Sequence, residues 1–290
     1  MPLSNLAVRV LFAAAAIPVV LAAVWLGGDA LAVLLAVASA LAAWEFCRLA
    51  HAGGYTPFSG AAIVVAGLTP LAVRGYQAGD FVPPVLSLGA IGVVGVLTAA
   101  LFARGPTRRA LGAAAVTILA VLYTAGTLSF AYALRYHNYV IEARAGTALL
   151  FYPLVLAWST DTAAFFAGRA LGRRKLMPAV SPGKTVEGAV GGLVVAMLVS
   201  WAYGRGVLVP YANLAMAPWT ALAVGAIVSV ATQIGDLVES MLKREAGVKD
   251  SSHVIPGHGG VLDRLDSLFF ALPVTYFVFT FPHVLIPVMR

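Results

Sequence analysis

Long uninterrupted apolar runs are the feature that most constrains the fold of this chain. Of its 290 residues, 61% are hydrophobic and only 11% are charged, and the mean hydropathy is +0.91. A helix that crosses a membrane needs about 20 consecutive, mainly apolar residues. Several runs in the sequence reach that length. The sequence therefore predicts an all-α polytopic membrane protein rather than a soluble domain.

The apolar runs are separated by breaks rich in glycine, proline and charge, which predict about nine transmembrane helices. These predicted helices cover roughly residues 9–27, 30–48, 59–74, 83–103, 111–133, 146–167, 187–204, 214–238 and 267–288. The first run resembles a signal peptide because Arg9 precedes it, but further apolar runs follow at once, so we interpret it as a retained helix. Cys47 is the only cysteine, which excludes an internal disulfide and a cysteine zinc cluster.

The distribution of basic residues predicts the orientation, because short basic loops stay on the cytoplasmic side. With the N-terminus inside, the outer segments hold only five of the 19 basic residues, namely Arg74, Arg135, Arg144, Arg205 and Arg290. This split predicts a cytoplasmic N-terminus, an outer C-terminus and an odd number of spans in the cell (inner) membrane. The net charge of +7 also suits anionic lipid headgroups.

Acidic residues are concentrated in the second half of the chain. That half holds eight of the twelve, namely Asp161, Glu187, Asp236, Glu239, Glu245, Asp250, Asp263 and Asp266. The first helices carry few ionisable groups, mainly Glu45. We therefore predict a scaffold and lipid-facing wall over residues 1–140 and a catalytic region over residues 141–290.

The charged segment, Ser240–Leu268, lies between two strongly apolar runs. An ionisable side chain at the bilayer centre costs roughly 2.5 to 3.5 kcal/mol on insertion scales, so such a cluster predicts function. Asp263 and Asp266 are three residues apart at a helix start, a spacing that suits either helix capping or metal binding. Asp236, near the end of the preceding apolar run, supplies a third carboxylate and favours a Mg²⁺ site.

The charged segment also contains a glycine-rich turn from Pro256 to Gly260, whose backbone amides can approach an anion. His258 in this turn is a candidate donor to a phosphate or leaving group, or a solvated loop residue. Four basic residues that could neutralise phosphate oxygens flank the turn, namely Lys243, Arg244, Lys249 and Arg264.

The upstream loop, residues 168–188, supplies further candidates. Ser181-Pro182-Gly183-Lys184-Thr185 has the composition of a phosphate loop but lacks the spacing of a Walker motif and a preceding strand, so we reject that motif. Ser181, Lys184 and Glu187 remain candidate binding residues. Asp161, inside the apolar run before this loop, is either a site residue or a hydrogen-bonding anchor between helices.

These residues together resemble the phosphatidate cytidylyltransferase, or CDP-diacylglycerol synthase, family. The match runs from Ser240 through Lys243-Arg244, Lys249-Asp250 and His258-Gly259-Gly260 to Asp263-Arg264 and Asp266. The upstream loop also resembles the family, with departures at Gly183, where a lysine is common, and Val186, where an aromatic residue is common. The recognisable part covers roughly residues 155–270.

The resemblance implies cytidylyl transfer from CTP to phosphatidic acid, giving CDP-diacylglycerol and pyrophosphate. It implies Mg²⁺, alone or with a second cation, held by Asp236, Asp263 and Asp266, with Lys243 and His258 as further catalytic residues. The expected substrate-binding residues are Ser181, Lys184, Glu187, Arg244, Lys249, Asp250, Arg264 and Asp161. The expected location is the cytoplasmic interface, open to membrane lipids, in a homodimer with no nucleic-acid partner.

Three rival functions remain open at this point. An ion-coupled transporter would use Asp161 and Asp236 in transport and predicts inverted repeats, which the sequence does not display. A non-catalytic lipid-binding protein would not require carboxylates beside the basic cluster. A CTP-dependent kinase or transferase of lipid alcohols is the nearest rival, and only the motif match argues against it.

Overall fold

The computed structural model of the protein describes residues 5–79, 85–105, 109–140, 142–255, 257 and 259–288. Its helices are α1 (Asn5–Leu26), α2 (Gly28–Ala52), α3 (Ser59–Ala78), α4 (Val85–Arg104), α5 (Ala110–Val121), α6 (Phe130–Arg135), α7 (Ala143–Leu171), α8 (Val186–Tyr203), α9 (Pro218–Glu245), α10 (Leu262–Leu265) and α11 (Leu268–Phe279). Two π-helical segments, Leu122–Gly126 and Gly204–Ala212, directly follow α5 and α8. The strands are β1 (Lys175–Met177), β2 (Ser181–Thr185), β3 (Leu214–Ala215) and β4 (Ile286–Pro287).

Six helical stretches in the described part of the chain are long and apolar enough to cross a membrane. They are Gly28–Ala52, Ser59–Ala78, Ala110–Arg135, Ala143–Leu171, Val186–Ala212 and Pro218–Glu245. Shorter apolar helical stretches cover Ala14–Leu26 and Gly89–Arg104. The protein is thus an α-helical, multi-pass membrane protein, as predicted, while the count of nine spans stays a prediction.

The last predicted span differs most from the structure. Helix α11 has 12 residues and ends at Phe279, and β4 follows it. At 1.5 Å per residue, 12 residues extend about 18 Å, against about 30 Å for the hydrocarbon core of a bilayer. This helix alone is therefore too short to cross a membrane.

The chain divides into two compact units that each combine distant parts of the sequence. Unit 1 consists of Met1–Ser129 and Leu242–Arg264, and unit 2 consists of Phe130–Met241 and Leu265–Arg290. Most of the charged segment thus packs with the N-terminal helices. The predicted division into residues 1–140 and 141–290 concerns scaffold and catalytic roles, and it stays a prediction.

Unit 1 is built around α2, which packs against α3, α5 and the π-helical segment that follows α5. Small side chains allow this close approach, since Ala43, Ala66 and Ala125 form one buried cluster. A second cluster contains Phe46 and Cys47 of α2 and contacts Leu242 of the charged segment. The same face of α2 that builds the helix core therefore also holds this segment.

Unit 2 is built around α7, which packs most extensively on α8 and also contacts α6 and α11. A hydrogen bond of 2.6 Å between Tyr152 Oη and Ser200 Oγ joins the interiors of α7 and α8. Strands β1 and β2 form an antiparallel hairpin in the upstream loop, and β3 pairs with β4. Neither pair of strands was predicted from the sequence.

Candidate active site

Asp263 is the centre of a polar cluster in unit 1. Its Oδ1 accepts a hydrogen bond of 2.8 Å from Lys243 Nζ, and the two side chains are only 8% and 13% exposed. Its Oδ2 accepts bonds of 2.8 Å from both Ser251 Oγ and the Gly260 amide, and one of 3.0 Å from the Ser251 amide. Burial of a charged pair is tolerated only with such additional hydrogen bonds. The network therefore fixes both Asp263 and Lys243.

One backbone amide of the glycine-rich turn binds a carboxylate of the protein itself. Gly259 has a φ of +85°, and a methyl group added to it would lie 2.9 Å from Asp263 Oδ2. The neighbouring Gly260 amide points at the same carboxylate. The Gly260 amide thus donates its hydrogen bond to a carboxylate of the protein. The sequence predicted that amides of this turn would bind the anion of a substrate. His258 and Pro256 lie outside the described residues.

Glu45 is the functional candidate that the sequence reasoning missed. This buried α2 side chain accepts four hydrogen bonds, all from residues between Ser251 and Leu262. The partners are 206 to 217 positions away in sequence, so no local pattern could reveal them. The only available signal was a lone carboxylate in an apolar run, which requires a partner.

The other predicted residues of unit 1 are exposed. Arg244, Lys249, Asp250 and Arg264 all present accessible side chains, and Arg244 Nη1 also donates to the Val248 carbonyl at 3.2 Å. Arginine and lysine at such positions can bind phosphate oxygens from solvent. Nearby, Tyr55 Oη donates to Glu245 Oε1 at 3.1 Å, and this hydrogen bond raises the pKa of Tyr55.

A second polar cluster lies in unit 2. Lys184 Nζ and Asp236 Oδ2 form an ion pair of 2.5 Å, with the side chains 28% and 29% exposed. Asp161 of α7 interacts electrostatically with Asp236, Asp266 and Lys184, and it hydrogen bonds to Ser267. The structure thus brings together four predicted residues from four separate parts of the sequence. Both predicted roles of Asp161, as a site residue and as a hydrogen-bonding anchor between helices, stay open.

Close backbone packing sets the position of Asp266 in this cluster. A methyl group added at Gly235 of α9 would lie 2.6 Å from the Asp266 carbonyl oxygen. Because Gly235 has no side chain, the backbone of α9 next to Asp236 can approach the backbone at Asp266 closely. Asp266 Oδ1 accepts a hydrogen bond of 2.6 Å from the amide of the next residue, Ser267.

Glu187 organises the upstream loop. Its carboxylate accepts hydrogen bonds of 3.0 and 3.1 Å from the amides of Arg173 and Arg174. The side chain of Thr185 caps α8 by accepting a bond of 3.1 Å from the Gly188 amide. Ser181 lies in β2, opposite Met177 of β1. The contacts of Glu187 are thus with the protein backbone, and its substrate-binding role stays a prediction.

The predicted metal ligands are carboxylates, and Mg²⁺ takes oxygen ligands. Within the described ranges, no three His, Cys, Asp or Glu side chains form a compact ligand group. Mg²⁺ does not require one, because it is commonly bound by one or two carboxylates together with waters and substrate phosphates. Of the predicted ligands, Asp263 belongs to unit 1, and Asp236 and Asp266 belong to unit 2. Their joint role as a metal site stays a prediction.

The sequence defines the class of this membrane protein. Residues 7–281 match the model of the Cytidylyltransferase family, and the chain therefore belongs to that family. The resemblance noted in the charged segment and the upstream loop is confirmed by this match.

Individual relatives carry a more specific name. The chain is similar to the phosphatidate cytidylyltransferase of Haemophilus influenzae, with 46% identity over 151 residues, which is 50% of this chain and 51% of the relative. The enzyme of that name from Bacillus subtilis is 44% identical over 145 residues, or 49% and 52% of the two chains. That from Staphylococcus saprophyticus is 44% identical over 137 residues, or 47% and 51%. The chain spans about half the length of the curated relatives it matches.

Proposed function

We propose that the protein transfers a cytidylyl group from CTP to phosphatidic acid, producing CDP-diacylglycerol and pyrophosphate in phospholipid biosynthesis. A phosphate oxygen of the lipid attacks the α-phosphorus of CTP, and the bond from that phosphorus to the oxygen bridging to the β-phosphate breaks. This chemistry depends on in-line positioning and charge neutralisation, and no protein nucleophile is needed. The observation that carries the proposal is the buried Lys243–Asp263 pair, in a chain that belongs to the Cytidylyltransferase family and is similar to relatives named phosphatidate cytidylyltransferase.

The residues of unit 1 support phosphate binding. Asp263 holds Lys243 Nζ in a fixed place, and a fixed ammonium group neutralises phosphate charge without reorganisation. The exposed guanidinium groups of Arg244 and Arg264 and the ammonium group of Lys249 would bind the remaining phosphate oxygens. Asp250 is assigned a supporting role, and His258 would donate a hydrogen bond to a phosphate or to the leaving pyrophosphate.

The residues of unit 2 support a cation-dependent site. Asp236 and Asp266 of unit 2, together with Asp263 of unit 1, would hold Mg²⁺, alone or with a second cation, which would supply charge neutralisation at the reacting phosphate and the leaving pyrophosphate. Lys184, paired with Asp236, would bind a phosphate oxygen, with Ser181 and Glu187 of the same loop beside it. Asp161 would support Asp236 and Asp266.

We further propose that the reaction takes place at the cytoplasmic face of the cell (inner) membrane. CTP is soluble and phosphatidic acid remains in the leaflet, so a site that serves both must lie at the interface. The N-terminus, the upstream loop and the charged segment would be cytoplasmic, with the C-terminus outside, as the basic residues predict. The functional assembly would be a homodimer surrounded by membrane lipids, with no nucleic-acid partner.

The proposal is tested with the purified protein in detergent, supplied with CTP, Mg²⁺ and phosphatidic acid. We expect release of pyrophosphate and formation of a liponucleotide. Asp263→Asn should abolish turnover, because the amide leaves Lys243 without its carboxylate and places an NH₂ group against protein donors. Asp29→Asn is the matched control, since Asp29 forms an exposed ion pair of 2.7 Å with Arg74 at the start of α2.

Two outcomes contradict the proposal. Full turnover by Asp263→Asn shows that the assigned carboxylate is not required. Turnover with diacylglycerol or a polyprenol in place of phosphatidic acid, and none with phosphatidic acid itself, assigns the protein to the CTP-dependent enzymes of lipid alcohols.

A further inference from the structure

Glu45 is a carboxyl group whose burial the proposed chemistry does not explain. It lies in α2, within a stretch apolar and long enough to cross a membrane, and its exposed fraction is 0%. Burying a carboxyl group is costly unless hydrogen bonds compensate for the lost water. A glutamate at this position would therefore destabilise α2 if no other part of the protein supplied hydrogen bonds to it.

The hydrogen-bond partners of Glu45 all come from one loop of the charged segment. Oε1 accepts bonds of 2.5 Å from Ser252 Oγ and 3.0 Å from the Val261 amide. Oε2 accepts bonds of 3.1 Å from Ser251 Oγ and 2.6 Å from the Leu262 amide. Each oxygen thus binds one serine hydroxyl from the beginning of the loop and one backbone amide from its end. The carboxyl group holds the two ends together.

The space around Glu45 is closed as well as polar. A methyl group added at Gly260 would lie 2.5 Å and 2.6 Å from the two Glu45 oxygens, closer than any side chain can approach. The glycine at this position is therefore required by the close approach of the loop backbone to α2.

Two short connections link Glu45 to Asp263. Ser251 Oγ lies 3.1 Å from Glu45 Oε2 and 2.8 Å from Asp263 Oδ2, so one hydroxyl group contacts both carboxyl groups. The Leu262 amide, which donates to Glu45, belongs to the residue directly before Asp263. If the loop moves away from Glu45, the Ser251 and Gly260 donors that orient Asp263 move with it. Lys243, which Asp263 holds, then also loses its fixed position.

We propose that Glu45 is a positioning residue: by joining the two ends of the loop 251–262, it sets the orientation of Asp263 and Lys243. Its role in turnover rests on the proposed cytidylyl transfer. Its role in ordering the loop follows from the contacts alone and is measurable without any substrate.

Glu45→Gln is a sharp test because it keeps the size of the side chain. An amide has one acceptor oxygen and one NH₂ donor, and each Glu45 oxygen now accepts from a backbone N–H. Either orientation of the amide thus places an NH₂ group against a backbone donor that cannot rotate. One end of the loop must leave the site.

The experiment uses the whole chain in detergent and two independent measurements. In hydrogen exchange followed by mass spectrometry, without substrate, Glu45→Gln should speed the exchange of peptides within residues 249–262. In turnover assays, kcat should fall about 10- to 100-fold, the usual effect of removing a group that orients a site residue, while KM for phosphatidic acid stays near the wild-type value.

Two substitutions on the same helix serve as controls. Asp29→Asn makes the same isosteric change at the exposed start of α2. Ser39→Ala removes a fully buried polar group of α2 whose hydroxyl has no hydrogen-bond partner within the described residues. Both should match the wild type in exchange of the loop and in kcat.

The outcomes separate the two proposals. Unchanged exchange and unchanged kcat in Glu45→Gln overturn the positioning role. If that variant does not fold, Ser252→Ala decides, because it removes one donor to Oε1 and leaves both backbone donors. Faster hydrogen exchange of the loop together with a lower kcat in Ser252→Ala supports the positioning role of Glu45. Wild-type exchange and wild-type kcat in that variant overturn it. If the wild type makes no liponucleotide, the proposed function fails, and the exchange measurement still decides whether Glu45 orders the loop.

Discussion

At the scale of single residues, carboxyl groups hold the loops of this protein in place by accepting hydrogen bonds from backbone amides. Asp263 accepts from Gly260 and Ser251, and Glu187 accepts from Arg173 and Arg174. Such charge-assisted hydrogen bonds are shorter and stronger than neutral ones. In a chain with few charged residues, part of the acidic content therefore stabilises the protein's own turns.

The sequence located some of these groups and not others. Lys243 and Asp263 were predicted because their spacing within the charged segment is recognisable, and Asp236 because it is a carboxylate near the end of an apolar run. Glu45 was assigned to the scaffold because its partners are more than 200 positions away. The backbone contacts of Glu187 follow from a hairpin that residue spacing does not reveal.

Glu187→Gln should loosen the hairpin of the upstream loop. The change removes the charge and replaces one acceptor oxygen with a donor, so the Arg173 and Arg174 amides lose part of their hydrogen bonding. We expect faster hydrogen exchange in peptides over residues 172–177. Glu142→Gln is the matched control, because Glu142 precedes α7 without a side-chain capping bond. Equal exchange in the two variants contradicts the prediction.

At the scale of elements, glycine allows α7 and α8 to pack with their backbones close together. A methyl group added at Gly192 would lie 2.8 Å from the Thr160 carbonyl oxygen, and one at Gly188 would lie 2.7 Å from that of Ala164. Membrane helices commonly associate through such small residues, because no hydrophobic force drives helices together in lipid. This packing places the upstream loop, which connects the two helices.

Secondary structure was predictable where an element is long and apolar. The helices from α2 to α9 follow the apolar runs closely, since a sustained run has few alternatives in lipid. The four strands were missed because each has only two to five residues, too few for an alternating pattern. The length of α11 was overestimated because the residues after Phe279 are apolar without being helical.

Gly192→Ala should destabilise unit 2 by about 1 to 3 kcal/mol, the usual cost of inserting a methyl group into a tightly packed interior. The backbone oxygen of Thr160 cannot move aside, so the helices must separate. Thermal unfolding in detergent measures the effect. Gly206→Ala is the control, because nothing lies within 4 Å of a methyl group there. A melting temperature for Gly192→Ala equal to that of the control rules out tight packing at this position.

At the scale of the whole molecule, helix composition establishes a multi-pass membrane protein, and basic residues predict its orientation. The exposed basic side chains of Arg173, Arg174 and Lys175 lie in the upstream loop, which the prediction assigns to the cytoplasm. The loop between α6 and α7 is assigned to the outer face. The two compact units were not predictable from the sequence, because each combines segments far apart in the chain.

Labelling of introduced cysteines tests this orientation. In a Cys47→Ser background, Asn138→Cys should react with a membrane-impermeant maleimide in intact cells, because Asn138 is exposed and assigned to the outer face. Arg174→Cys should react only after the cells are permeabilised. The background variant alone should remain unlabelled. The reverse pattern, or labelling of both positions in intact cells, contradicts the predicted orientation.

The make-up of unit 1 has a consequence for how the protein is synthesised. Its helices leave the ribosome early, whereas Leu242–Arg264 is made only after most of unit 2. During that interval α2 already carries Glu45, with its hydrogen-bond donors still untranslated. The hydrogen bonds of Glu45 can therefore form only when the last part of the chain emerges. A nascent chain stopped before residue 251 would retain a buried acid without its serine and amide partners, a defect that quality-control proteases of the membrane can recognise.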